Sequence, residues 1–170
     1  MKKNNKGFTL IELLAVIVIL AILVAVAIPS VTKYLNDARK GSMQNEAAEL
    51  VTAARTYIVA NNITKSGNFV FDIGSKKAYW VPTAGTQTPI ENVVQKNLKN
   101  SPYGNEYKAA YVEVTRNNST GASEFKLHLS DGIYCFDGID ESVLNVDANL
   151  INDTDSVTTC SSMTQATYTK

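Results

Sequence analysis

The sequence predicts an α+β protein: one long N-terminal helix packed on an antiparallel sheet of three to four strands, then a C-terminal loop. Three observations predict it. Apolar residues run almost unbroken from Phe8 and then recur at spacings of three and four to about residue 60. "AAYVEVTR" and "EFKLHLS" alternate with period two on either side of "NNSTGAS". The two cysteines, Cys135 and Cys160, both lie late in the chain.

The first element is a membrane-length helix. Phe8 to Ile28 carries Glu12 as its only charge. As a helix it would span roughly 31 Å, about the hydrocarbon thickness of a bilayer. Its β-branched residues do not oppose a helix, because lipid forces the backbone to satisfy its own hydrogen bonds. Pro29 marks a kink or break where the apolar run ends. An ordinary cleaved signal peptide fits poorly: the run is too long, and Val26-Ala27-Ile28 is a weak match to a cleavage site. Lys33, Arg39 and Lys40 follow the span closely, so charge leaves its orientation open. The cysteine pair favours an external C-terminus.

A plain signal anchor does not explain Glu12. A carboxylate inside a membrane helix costs about 2.5–3.5 kcal/mol and usually has a partner and a task. Lys6, at the water interface, would not hold it there. A free α-amine on Phe8, made by cutting the Gly7–Phe8 bond, lies one helical turn away, or could come from a neighbouring subunit.

These residues carry a resemblance. "KGFTLIELLAVIVILAIL" resembles the N-terminus of type IV pilins and of the type II secretion and competence pseudopilins. The resemblance implies that a prepilin peptidase cuts between Gly7 and Phe8 and N-methylates Phe8. It also implies that Glu12 pairs with the Phe8 amine of an adjacent subunit during assembly. Many relatives have a glycine eight residues before the proline and lose helicity between the two; here that position is Ala21, a strong helix former.

From Ser30 the pattern turns amphipathic, with Val31, Leu35, Ala38, Met43, Ala47, Leu50, Val51, Ala54, Tyr57 and Ile58 largely on one face and Asn61-Asn62 as the stop. Gly41-Ser42 is a second weak point for straightness. "NFVFDI" (68–73) and "KAYWV" (77–81) are short strand candidates. "TPIENVVQKNLK" reads as a helix, with Thr88 as N-cap, Pro89 in the first turn and Glu91 completing a capping box. "SPYG" (101–104) is a turn, and Asp131-Gly132 turns the sheet into "IYCF"; after Cys135 the chain reads as an acidic loop.

By resemblance the chain divides into a leader (1–7), a transmembrane and polymerisation helix (8–29) and a globular domain (30–170). Within that domain lie an amphipathic helix (30–60), an αβ-loop (61–105), an antiparallel sheet (106–136) and a D-region (135–160). In an exported chain Cys135 and Cys160 read as one disulfide; in a cytosolic chain they would be two thiols.

Little else reads as chemistry. With Lys2, Lys3 and Lys6 set apart, 13 basic residues face 16 acidic ones, which gives no basic field for nucleic acid. His128 is the single histidine, on the outward side of a strand, and it reads as a surface residue without a metal. No phosphate-cradling glycine loop and no nucleophile–base pair points to an enzyme. Asp137, Asp140, Glu141, Asp147, Asn149, Asn152, Asp153 and Asp155 could offer oxygen to calcium, but their order does not match an EF-hand, and a solvated acidic loop is the simpler reading. Tyr79, Trp80, Tyr103, Tyr107, Tyr111 and Tyr134 read as packing. The Asn-x-Ser/Thr triplets at Asn62, Asn117, Asn118 and Asn152 arise easily in so Asn/Thr-rich a chain and imply no glycosylation.

The expectation is therefore a pilus subunit without cofactor. Its partners would be other copies of itself, a prepilin peptidase, an assembly platform with its ATPase motor, and the membrane. It would be a membrane precursor first and then part of an extracellular filament serving adhesion, motility or biofilm formation. The alternatives are a pseudopilin and a monomeric membrane-anchored binding domain.

Overall fold

The computed structural model describes residues 7–74, 77–83, 88–90, 98–117, 119–144, 150–152, 160 and 163–166. One helix, α1 (Leu10–Ala60), precedes seven strands: β1 (Gly67–Phe71), β2 (Ala78–Pro82), β3 (Thr88–Ile90), β4 (Ala109–Arg116), β5 (Ser123–Ser130), β6 (Tyr134–Asp140) and β7 (Ile151–Asn152). The chain divides into two compact units, the boundary falling between Ala38 and Arg39.

Along the first unit every large apolar side chain from Phe8 to Leu35 is exposed. In the second, α1 buries Met43, Glu46, Ala47, Leu50, Val51, Ala54 and Ile58, one stripe at spacings of three, one and four. The helical assignment runs through Pro29 and Gly41 without interruption. The helix stops as the Asn pair predicts. Asn62 takes the left-handed conformation (φ 50°). Its N–H donates to Val59 O at 3.2 Å and that of Ile63 to Ile58 O at 3.0 Å, a Schellman closure with Ile58 and Ile63 in the same apolar core.

The strands form a single antiparallel sheet in the order β3-β2-β1-β4-β5-β6-β7. This exceeds the three to four strands expected, because the strand candidates at 68–73 and 77–81 join the sheet as β1 and β2, and β3 and β7 add two more. The predicted helix at Thr88 is corrected: Thr88–Ile90 pairs with Ala78–Trp80 as the edge strand β3. An edge tolerates Pro89, whose missing N–H need not enter a ladder. Glu91 lies outside the described residues. The expected loop after Cys135 is also corrected, since β6 continues to Asp140 and a single 3-10 turn follows over Glu141–Val143.

The inner face of the sheet supplies Phe69, Phe71, Val112, Phe125, Leu127 and Phe136 to the core that α1's stripe closes. At its lower edge the "SPYG" turn forms as expected, Gly104 N–H donating to Ser101 O at 2.9 Å. Buried Asp131 organises this corner. Its Oδ1 accepts the N–H groups of Ile133 (2.9 Å) and Tyr134 (2.7 Å), and its Oδ2 accepts Ser101 Oγ (2.5 Å) and Asn105 Nδ2 (3.3 Å). Four donors satisfy a carboxylate that burial would otherwise penalise. Tyr134 stacks on Tyr103 with centroids 3.8 Å apart.

Candidate functional sites: the head of α1, the C-terminal closure and the outer sheet face

Gly7 lies in open space, and Phe8 is 90% exposed. Thr9 precedes the first helical residue and Glu12 is the third, the T-x-x-E spacing of a capping box. The geometry is formed: Thr9 N–H and Thr9 Oγ1 each donate to Glu12 Oε2 at 2.8 Å, and Glu12 N–H reaches Thr9 Oγ1 at 3.3 Å. Glu12 thus has a local structural task that the sequence reading overlooked. The signal was present, since the same pattern was read at Thr88. Both bonds from Thr9 end on Oε2.

Behind this cap residues 13–28 of α1 are apolar on all sides and exposed, a stretch long and apolar enough to cross a membrane. A helix apolar all round is stable only when lipid or other protein covers it. Thr32 Oγ1 donates to Ile28 O at 2.9 Å beside Pro29, giving the helix a side-chain bond next to the residue that lacks an N–H.

Cys135 and Cys160 are joined as a disulfide, Cα atoms 5.5 Å apart. Cys160 is held again through its carbonyl, which accepts Ser130 Oγ at 2.7 Å. Further on, the Gln165 side chain does what a strand would. Its Oε1 accepts Ala110 N–H and its Nε2 donates to Phe71 O, both at 2.7 Å. The β1–β4 ladder is registered only as far as Val70–Tyr111, and Phe71 and Ala110 follow directly beyond it. Contacts 55 and 94 residues away in sequence leave no local signal, and sequence reasoning missed them.

Among the described residues considered for calcium, Asp137, Asp140 and Glu141 have separate partners. Asp137 faces His128, Asp140 accepts Ser142 N–H and Oγ, and Glu141 forms an ion pair with Arg55. The Ser142 bonds hold the Asp140 carboxyl below its usual value. Asp147, Asn149, Asp153 and Asp155 lie outside the described residues, as do Asn118 and Lys2, Lys3 and Lys6. Among the described residues, no three His, Cys, Asp or Glu side chains form a metal cage.

On the outer face one register row crosses five strands: Tyr79, Val70, Tyr111, His128 and Asp137. Tyr111 stacks on His128 with centroids 4.4 Å apart and planes 7° from parallel. His128 is therefore no open surface residue. Its side chain is 14% exposed, with Nδ1 3.1 Å from Asp137 Oδ1 and Nε2 3.7 Å from Glu113 Oε2. Burial, then Asp137 and Glu113, push the Tyr111 hydroxyl up.

Residues 2–28 match the family model of the prokaryotic N-terminal methylation motif. The chain is 39% identical over 59 residues to the type IV major fimbrial protein FimA of Dichelobacter nodosus, covering 35% of this chain and 38% of that one. It is 28% identical over 93 residues to the type IV major pilin protein PilA of Myxococcus xanthus, covering 52% and 42%. It is 56% identical over 50 residues to the type IV wide pilus major component PilA4 of Thermus thermophilus, covering 22% and 38%. The chain thus spans under half the length of each of these relatives. No solved structure matches it.

Proposed function

We propose that this chain, which belongs to the type IV pilin family, is a structural subunit of a pilus filament and acts without enzymatic chemistry. The observation that carries the reading is an exposed apolar helix headed by Gly7, Phe8 and a capped Glu12. As a precursor, the segment from Phe8 to Ile28 is stored in the membrane. A prepilin peptidase cuts Gly7–Phe8 and methylates the new amine of Phe8, and an assembly platform with its motor extracts the subunit. Packing of apolar helices between copies then replaces lipid. Glu12 keeps its cap through Oε2 while Oε1 reaches the amine of a neighbouring Phe8, so a carboxylate that burdens lone insertion favours assembly. The sheet domain faces the outside as part of a surface filament.

Electron microscopy with antibody against residues 61–170 tests this. Long labelled filaments that vanish on deletion of the chain are expected; expressing cells without any filament would leave a monomeric membrane anchor as the better account. Intact-mass analysis tests processing separately. The expected mass is that of residues 8–170 plus one methyl group, less two hydrogens for the disulfide.

A further inference from the structure

We propose that His128 and Glu113 bind one divalent first-row transition-metal ion, Cu²⁺ most tightly, on the outer face of the sheet. Asp137 positions the imidazole from behind.

The argument starts from protons. An ionised carboxylate only accepts, so the 3.1 Å contact between His128 Nδ1 and Asp137 Oδ1 places the hydrogen on Nδ1. In the neutral ring the lone pair then sits on Nε2. That atom is buried and has no hydrogen-bond partner. Its charged neighbour is Glu113 Oε2 at 3.7 Å, too far for a hydrogen bond. Two electron-rich atoms therefore face each other across a gap that a cation would fill. With metal–nitrogen and metal–oxygen bonds of about 2.0–2.2 Å, a separation of 3.7 Å corresponds to an angle of roughly 125° at the metal. A carboxylate on the far nitrogen of a metal-binding histidine is the usual orienting arrangement.

The surroundings hold this geometry. Tyr111 stacks on the imidazole from β4. On β6 the register shifts beside His128, and Gly138, at φ 64°, is the residue left over between Asp137 and Ile139. A Cβ at Gly138 would lie 3.5 Å from His128 Cε1, so the ring is enclosed from that side too. Access comes through Glu113, whose side chain is 49% exposed. Lys126 is the register partner of Glu113 and of Asp140, and its charge competes with the metal. Two protein ligands completed by water suit Cu²⁺ first, by the usual affinity order, with Zn²⁺ next.

The test is titration of the full-length chain in detergent micelles with CuCl₂ near neutral pH, read by calorimetry and electron paramagnetic resonance. One saturable Cu²⁺ with coupling to a single imidazole nitrogen is expected. His128→Gln abolishes that signal, and Glu113→Gln weakens binding. Asp137→Asn keeps the nitrogen coupling but weakens affinity about 10-fold or more. Zn²⁺ raises the melting temperature of the wild type but not that of His128→Gln. Saturable uptake that persists unchanged in His128→Gln overturns the proposal, as does its absence in the wild type. Should His128→Gln fail to fold, Glu113→Gln and Asp137→Asn carry the same decision, and unchanged affinity in both overturns it.

Discussion

Tyr107 Oη donates to Glu46 Oε2 across 2.8 Å, so the one acid on the buried stripe of α1 is held by a hydroxyl 61 residues away. Glu46 is 3% exposed and Tyr107 equally buried. Hydrogen bonds to charged groups contribute about 1.5–3 kcal/mol, and a buried carboxylate that loses a donor suffers for it. Tyr107→Phe should destabilise the domain by about that amount, measured by chemical denaturation. Full stability in the variant would show that the bond contributes nothing.

The same pair sets an alkaline limit. Burial, then the Glu46 charge, push the Tyr107 hydroxyl up, and Tyr111 shifts the same way. A raised group contributes stability that is present below the unfolded tyrosine value of about 10 and is lost as pH rises beyond it. Melting temperature should fall above about pH 10, and less steeply in Tyr107→Phe. Parallel falls in both proteins would assign the loss elsewhere.

At the head of α1, two variants separate cap from charge. Thr9→Ala removes the cap, worth about 1 kcal/mol at a helix start. Glu12→Gln keeps an acceptor of the same reach but removes the charge. Counted by electron microscopy, filaments should persist in Thr9→Ala and be rare or absent in Glu12→Gln while surface export continues. Equal assembly by both would remove the charge from the assembly mechanism.

For the disulfide, a sequence separation of 25 predicts stabilisation of about 3 kcal/mol in the chain-entropy account. Thermal unfolding of the Cys135→Ser, Cys160→Ser double variant should show a loss of that order. An unchanged melting temperature would contradict it.

Gln165→Leu strands Ala110 N–H and Phe71 C=O together. The expected cost is about 1–3 kcal/mol, with faster hydrogen exchange at Ala110 in particular. An unchanged exchange rate there would mean that water replaces the side chain at no penalty.

The legible parts of this fold were those written locally. Apolar spacing located α1 and its stop, and alternation located β4 and β5. The errors share a cause. T-x-x-E and T-P-x-E are both honest helix starts, but at Thr88 pairing with β2 overrides the local preference, whereas at Thr9 nothing competes. Alternation placed His128 outward but could not show that Tyr111 covers it, because that cover depends on register between strands. Gln165 left no trace at all, since its partners are set only once β1 and β4 lie side by side.

Gln165 also bears on timing. Until it arrives, Ala110 and Phe71 lack the partners that close the middle of the sheet, and until Cys160 arrives, Ser130 and Cys135 lack theirs. A ribosome that has released residue 140 has delivered every long strand, yet the sheet still lacks its clasp. The clasp is thus supplied from far along the chain, by Cys160 and Gln165.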